Sequence, residues 1–168
     1  MRNLFAACMA SALCFTAAPA LAQKVTDDEA NAMLDAMSTT AFNFCTDSDE
    51  AKQRPAMDQY NACQTAIAEL AQVRKKNPNP TAGQKEVYRF YESALQMGHT
   101  YTMLRVDGQP TARVCGNIEN QWVMISGANT AVVGPDLGNA FVSMKDAVRP
   151  LVKLCRERFA APAGALAI

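Results

Sequence analysis

The sequence predicts an all-α fold, a bundle of four or five antiparallel helices stapled by two disulfides. Three observations predict it. Apolar residues recur at three- and four-residue intervals along most of the chain. Capping residues and prolines punctuate those runs at helix-length spacing. Four cysteines, Cys45, Cys63, Cys115 and Cys155, follow an N-terminal stretch with the features of an export signal.

The export signal bounds everything after it. Arg2 supplies the positive end, residues 4–18 are apolar, and Ala20-Leu21-Ala22 is an A-x-A cleavage site before Gln23. The expected organisation is a cleaved signal peptide at 1–22, one helical domain at 23–160 and a flexible Ala-rich tail at 161–168. The residues before Cys14 are Ser11-Ala12-Leu13, which lack the small residues a lipobox places directly before its cysteine. The short, weakly charged signal predicts the periplasm as the compartment. Cys8 and Cys14 leave with it, and an even set of four cysteines in an exported chain predicts a disulfide framework. Zinc needs close pairs such as C-x-x-C, and the smallest gap here is that between Cys45 and Cys63.

Each helix has its own signals. Thr26-Asp27-Asp28-Glu29 is a capping box opening the first helix, whose stripe of Ala30, Met33, Leu34, Met37, Ala41 and Phe44 is expected to run unbroken to Cys45. Residues 46–54 are polar and are expected to form a loop or a loose first turn of the next helix. Pro55 suits the first position of the second helix, which carries Ala56, Tyr60, Cys63, Ile67, Leu70 and Ala71 on one face. Arg74, Lys75 and Lys76 complement its C-terminal dipole, and Asn77-Pro78-Asn79-Pro80 stops it.

Thr81-Ala82-Gly83-Gln84 is a second capping box. It opens a helix with Val87, Phe90, Tyr91, Ala94, Leu95, Gly98, Tyr101 and Thr102 on a broad face. Glycine inside a helix costs about 1 kcal/mol against alanine, so Gly98 predicts close approach of another backbone. After the turn at Asp107-Gly108-Gln109-Pro110, residues 111–133 predict a helix broken near Gly127, although Trp122-Val123-Met124-Ile125 alone also fits a strand. Gly134-Pro135-Asp136 opens the last helix, with Leu137, Phe141, Met144, Val148, Leu151, Cys155 and Phe159 on its face. Pro150 is expected to kink or split it. Antiparallel neighbours bring the start of one helix beside the end of the next, which pairs Cys115 with Cys155. Cys45–Cys63 then spans a helix connection.

Composition and motifs exclude more than they assign. Sixteen Lys and Arg balance sixteen Asp and Glu, so no electrostatic case for nucleic acid or an anionic membrane arises. No apolar run after Gln23 approaches the roughly 20 residues of a membrane span. His99 is the single histidine, and no constellation supplies nucleophile, base and oxyanion donor together, so no enzyme is expected. His99 is expected to be partly buried and hydrogen-bonded. The acid pairs Asp27-Asp28 and Asp49-Glu50 read as helix-start residues. No cofactor is expected, since the glycines match neither a P-loop nor a dinucleotide fingerprint and there is no haem-attachment motif. Thioether and imidazole suit Cu(I), and Met33, Met37, Met97, His99 and Met103 supply them, although methionine in a helical core is the commoner arrangement. Among the aromatic residues, Trp122, Tyr60 and Tyr88 are the interface candidates, because a ring with one polar end suits a half-wet contact.

Phe44-Cys45, Tyr60-Asn61-Ala62-Cys63, Val114-Cys115 and Leu154-Cys155 follow one another in an order that resembles the type VI secretion amidase immunity proteins of the Tai/Rap type. The likeness covers residues 44–155. It departs from the family where a Gly-Tyr-x-x-Gly pattern after the second cysteine is replaced by Gln64-Thr65-Ala66-Ile67, and where a proline after the third is replaced by Gly116-Asn117. The resemblance implies a small periplasmic immunity protein. The functional expectation is therefore an exported binding or inhibitor protein that acts through a protein surface on another envelope or exported protein. The alternative is a small-ligand or copper carrier using the bundle interior, and a third class is an accessory subunit of an envelope complex.

Overall fold

The structure, a computed structural model, describes residues 24–46, 49 and 53–159. The expected signal peptide and C-terminal tail lie outside the described residues. Among the described residues six α-helices are defined: α1 (Asp27–Met37), α2 (Thr40–Thr46), α3 (Ala56–Lys76), α4 (Ala82–Asp107), α5 (Ala112–Ser126) and α6 (Pro135–Phe159), with a 3₁₀ turn at Thr130–Val132 before α6. The all-α bundle is as the apolar spacing predicts, and the disulfides are Cys45–Cys63 and Cys115–Cys155. Such bridges belong to an oxidising, extracytoplasmic environment. Among the described residues no helix is long and apolar enough to cross a membrane.

Both capping boxes form. Thr26 accepts from the Glu29 backbone N–H while Glu29 accepts from that of Thr26, and Thr81 and Gln84 repeat the exchange at α4. The expected first helix is two helices. Thr39 Oγ1 accepts from the Phe42 N–H and so starts α2 anew, while Ser38 closes α1 in extended conformation. The freed Met37 carbonyl accepts from the Tyr91 hydroxyl, whose ring stacks on Phe42 at 4.0 Å. Burial, aided by Glu69, pushes the Tyr91 phenol up, so it stays a donor. Asp27, inside the first capping box, serves a second helix. Its Oδ1 accepts from the N–H groups of Asp136 and Leu137 at 3.1 and 3.2 Å, capping α6 from 109 residues away. Acid at a helix start was expected of Asp27, but at the start of its own helix.

α4 is the central helix and packs against α1, α2, α3 and α5. Two cores lie along it. The first joins α1 to the early parts of α4 and α6 through Ala30, Met37, Cys45, Cys63, Leu70, Tyr91, Leu95 and Phe141. The second joins the late part of α4 to α5 and α6 through Met103, Val114, Ile118, Ile125, Val148 and Val152 around Cys115–Cys155. Phe90 packs against both. Gly98 is what lets α2 reach α4: a Cβ there would meet the carbonyl and the sulfur of Cys45. The strand alternative at residues 122–125 is not realised, because they complete α5 before Gly127. Pro150 does not divide α6, which runs on to Phe159. Its ring is exposed, so water can solvate the carbonyl whose partner N–H it lacks. Phe159, expected on the apolar face, is exposed at the end of that helix.

Candidate functional site

α3 and α5 pack on opposite flanks of α4 and leave part of its surface open between them. The residues of α4 that line hollows at that opening lie on one face of the helix in two groups seven positions apart, Lys85, Arg89 and Glu92 and then His99, Met103 and Val106. Between Lys85 and Val106 this face is about 30 Å long at 1.5 Å per residue. Its two ends differ in chemistry.

The apolar end is lined by Met57 and Tyr60 from α3, Met103 and Val106 from α4, and Arg113 from α5. Met57 and Val106 are 54% and 48% exposed, an unusual pair of large apolar side chains beside one hollow. The hollow continues past His99 to Gly116, Asn117 and Asn120, enclosing about 370 Å³. Asn117 is held by donating to Thr100, and Arg113 is paired with Asp107 at 3.2 Å. The His99 ring lies 5.1 Å from that of Tyr60, and its Nε2 is 3.1 Å from the Gln64 side-chain nitrogen. Burial first, and then Arg113, hold the His99 imidazole below its ordinary value. The sequence expectation of a half-buried, hydrogen-bonded histidine describes this arrangement.

The charged end is a cleft of about 520 Å³. Arg74 at the end of α3 and Lys85, Arg89 and Glu92 on α4 line it, with Pro78 and Pro80 forming its lip. Arg74 Nη1 lies 2.9 Å from Glu92 Oε2. Arg89 Nε lies 2.9 Å from Glu86 Oε2, close enough for an ion pair though the N–H is not aimed at that oxygen. Arg89 also donates to the Met124 carbonyl at 3.1 Å, tying α4 to the end of α5. Tyr88 is buried to 7% exposure, and its hydroxyl accepts from the Asn77 side chain at 3.3 Å.

Of the three aromatic candidates, Tyr60 and Tyr88 come to opposite ends of this groove. Trp122 does not join them; it is half-buried and packs against the second core. The methionines are divided between the cores, Met33 and Met37 in the first and Met97 and Met103 in the second. Among the described residues no group of three or more His, Cys, Asp or Glu is placed to hold a metal ion. Sequence reasoning missed Arg74, Lys85, Arg89, Glu92, Met57 and Val106 as site residues. Arg74 had a sufficient reading as a dipole complement, and a polar stripe opposite an apolar one signals only solvent. What the sequence lacks is the knowledge that α3 and α5 stop short of covering that stripe.

Compared with known proteins, the chain matches no family model, no curated protein and no solved structure.

Proposed function

We propose that the chain is an exported periplasmic binding or inhibitor protein, delivered by a cleaved signal peptide, and that it acts by docking another envelope or exported protein in the groove along α4. The single observation that carries this reading is the exposed pair Met57 and Val106 beside Tyr60 and Met103, in a hollow that opens to solvent along a central helix. Apolar surface gathered at one depression is what protein contacts use. The frame supports it as well. Two disulfides and two capping boxes fix the walls, so little ordering cost falls on binding. The resemblance in cysteine order to the amidase immunity proteins agrees with an inhibitor that works by occupying a partner's surface. No catalytic role is assigned to any side chain.

The test is capture. Residues 23–168, immobilised with both disulfides formed, are expected to retain one exported protein from periplasmic extract, and the purified pair is expected to reassociate. Met57→Glu with Val106→Glu should weaken the reassociation more than about tenfold, or about 1.4 kcal/mol. Tyr60→Ala should act in the same direction, whereas Trp122→Ala should lower stability and spare binding. A bait that retains no protein but co-purifies with a stoichiometric small molecule or copper would replace this reading with the carrier.

A further inference from the structure

We propose that the charged cleft between the end of α3 and the start of α4 is a carboxylate-binding subsite that seats an acidic side chain of the docked partner. The proposal deepens the docking reading and rests on it for the identity of the occupant.

Charge is the first argument. Three cations, Arg74, Lys85 and Arg89, line the cleft against one carboxylate, Glu92. The second carboxylate, Glu86, is buried behind Arg89 and does not line the space. Arg74 gives one N–H to Glu92, and a guanidinium has five. Lys85 is exposed, and its ammonium has no carboxylate partner among the described residues. The cleft therefore presents one cation more than the carboxylates beside it, together with guanidinium N–H groups that Glu92 leaves unused.

Tyr88 is the second and independent argument. Its side chain is more than nine-tenths buried and lines the cleft. The hydroxyl accepts from Asn77, and that same Asn77 amide also donates to Gln84 Oε1 at 3.3 Å. The phenolic hydrogen itself meets no acceptor among the described residues. Because the residue lines a cleft open to water, water is the acceptor until an incoming oxygen replaces it, and the hydroxyl adds a neutral donor to the charged ones. Carboxylate fits these donors better than phosphate does. The buried Glu86 and the lining Glu92 cancel much of the positive charge, which suits a monoanion. A planar guanidinium together with one O–H matches the two in-plane oxygens of a carboxylate.

Position names the partner's chemistry. Lys85, at the far side of the cleft, lies about 30 Å along α4 from the exposed Val106. A docked segment that fills the groove would carry an acidic residue at one end and large apolar residues at the other. That spans about twenty residues as a helix or about nine as a strand.

A labelled peptide with a Glu-Glu pair at one end and a Leu-Leu pair at the other, paired with its Gln-Gln counterpart, tests this by fluorescence anisotropy against the mature protein. The acidic peptide is expected to bind roughly tenfold tighter than the Gln form, with the difference shrinking at high salt. Lys85→Glu should weaken it about tenfold with the wild-type thermal unfolding midpoint retained, and Tyr88→Phe roughly threefold at a temperature where that variant, slightly destabilised by loss of the Asn77 bond, is still fully folded. Equal binding of the two peptides, or variants that bind as the wild type does, would overturn the subsite. Free succinate competing as well as the peptide would also overturn it, by making a small acid the occupant. The two readings fail separately. A captured partner that binds Lys85→Glu and wild type alike leaves docking intact and removes the subsite. Peptide binding as described, with no partner captured, does the reverse.

Discussion

The two cores of the bundle each hold one disulfide, in opposite surroundings. Cys45 and Cys63 are 18 residues apart and lie with no exposure where α2, α3 and α4 cross. The crossing is dense with polar ties. The buried Gln59 donates to the Cys45 carbonyl at 3.1 Å and accepts from Arg105 at 3.1 Å, and Arg105 donates on to the Arg54 carbonyl. Cys115 and Cys155 are 40 residues apart and join the start of α5 to the late part of α6. Their surroundings are aliphatic, with an exposed Arg156–Glu119 pair at 2.8 Å outside. Chain statistics favour the second bridge: closing the two loops is worth about 3 and about 4 kcal/mol respectively. Packing favours the first. What this difference teaches is that loop length measures only what a bridge does to the unfolded chain.

Removing each bridge breaks that contrast open most directly and has the largest expected effect. Cys115→Ala with Cys155→Ala should cost about 4 kcal/mol, close to the loop value, because the neighbouring helices can close over the lost sulfurs. Cys45→Ala with Cys63→Ala should cost at least as much despite the shorter loop. It empties a crossing where the Gln59 hydrogen bonds and the α2–α4 contact depend on the same backbone. Urea unfolding of the two double variants beside the wild type checks the order. A Cys45–Cys63 variant clearly more stable than the other would return the argument to loop length alone.

A pair of glycines sharpens it further. Gly98→Ala puts a methyl group onto the Cys45 carbonyl and sulfur, so α2 must move, and a loss of about 3 kcal/mol is expected. Gly116→Ala, on α5 one residue past Cys115, meets nothing within 4 Å. It should stabilise by about 0.5–1 kcal/mol through helix propensity alone. Opposite signs in thermal unfolding are the expected outcome.

Gly98 also shows what the sequence could tell. A glycine inside an apolar helical face has few explanations, and close backbone approach was the correct one. The capping boxes at Thr26 and Thr81, the stop at Pro78 and the disulfide pairing were legible for the same reason: each is a local chemical demand with a local signature. Three features were not. The break at Ser38-Thr39 needs the Tyr91 hydroxyl to take the Met37 carbonyl, a contact across 54 residues. Gln59 reads as surface on a helix wheel, and only Arg105 and the Cys45 carbonyl make its burial affordable. The groove was the least legible, because its lining is an ordinary polar helix face until two neighbouring helices are known to frame it.

The smallest expected effect is in the pH dependence at the apolar end of the groove, on α4 beyond Gly98. His99 Nε2 lies 3.1 Å from the Gln64 side-chain amide, and with the amide nitrogen donating the ring would be neutral with its proton on Nδ1. Burial and Arg113 disfavour the protonated ring, which places the folded-state value below the ordinary 6.5. The sign follows from proton uptake. As pH falls through 6.5 the unfolded chain binds a proton that the folded chain resists, so stability is full above that value and declines below it. His99→Gln removes the difference. Urea midpoints followed from neutral pH down to about 5 should therefore fall more steeply in the wild type than in His99→Gln, with the two proteins alike at neutral pH. The carboxylates titrate in both proteins and cancel in the comparison. Parallel curves would show that Gln64 rotates to accept from a protonated ring, and that the groove wall beside Tyr60 yields more than the core beneath it.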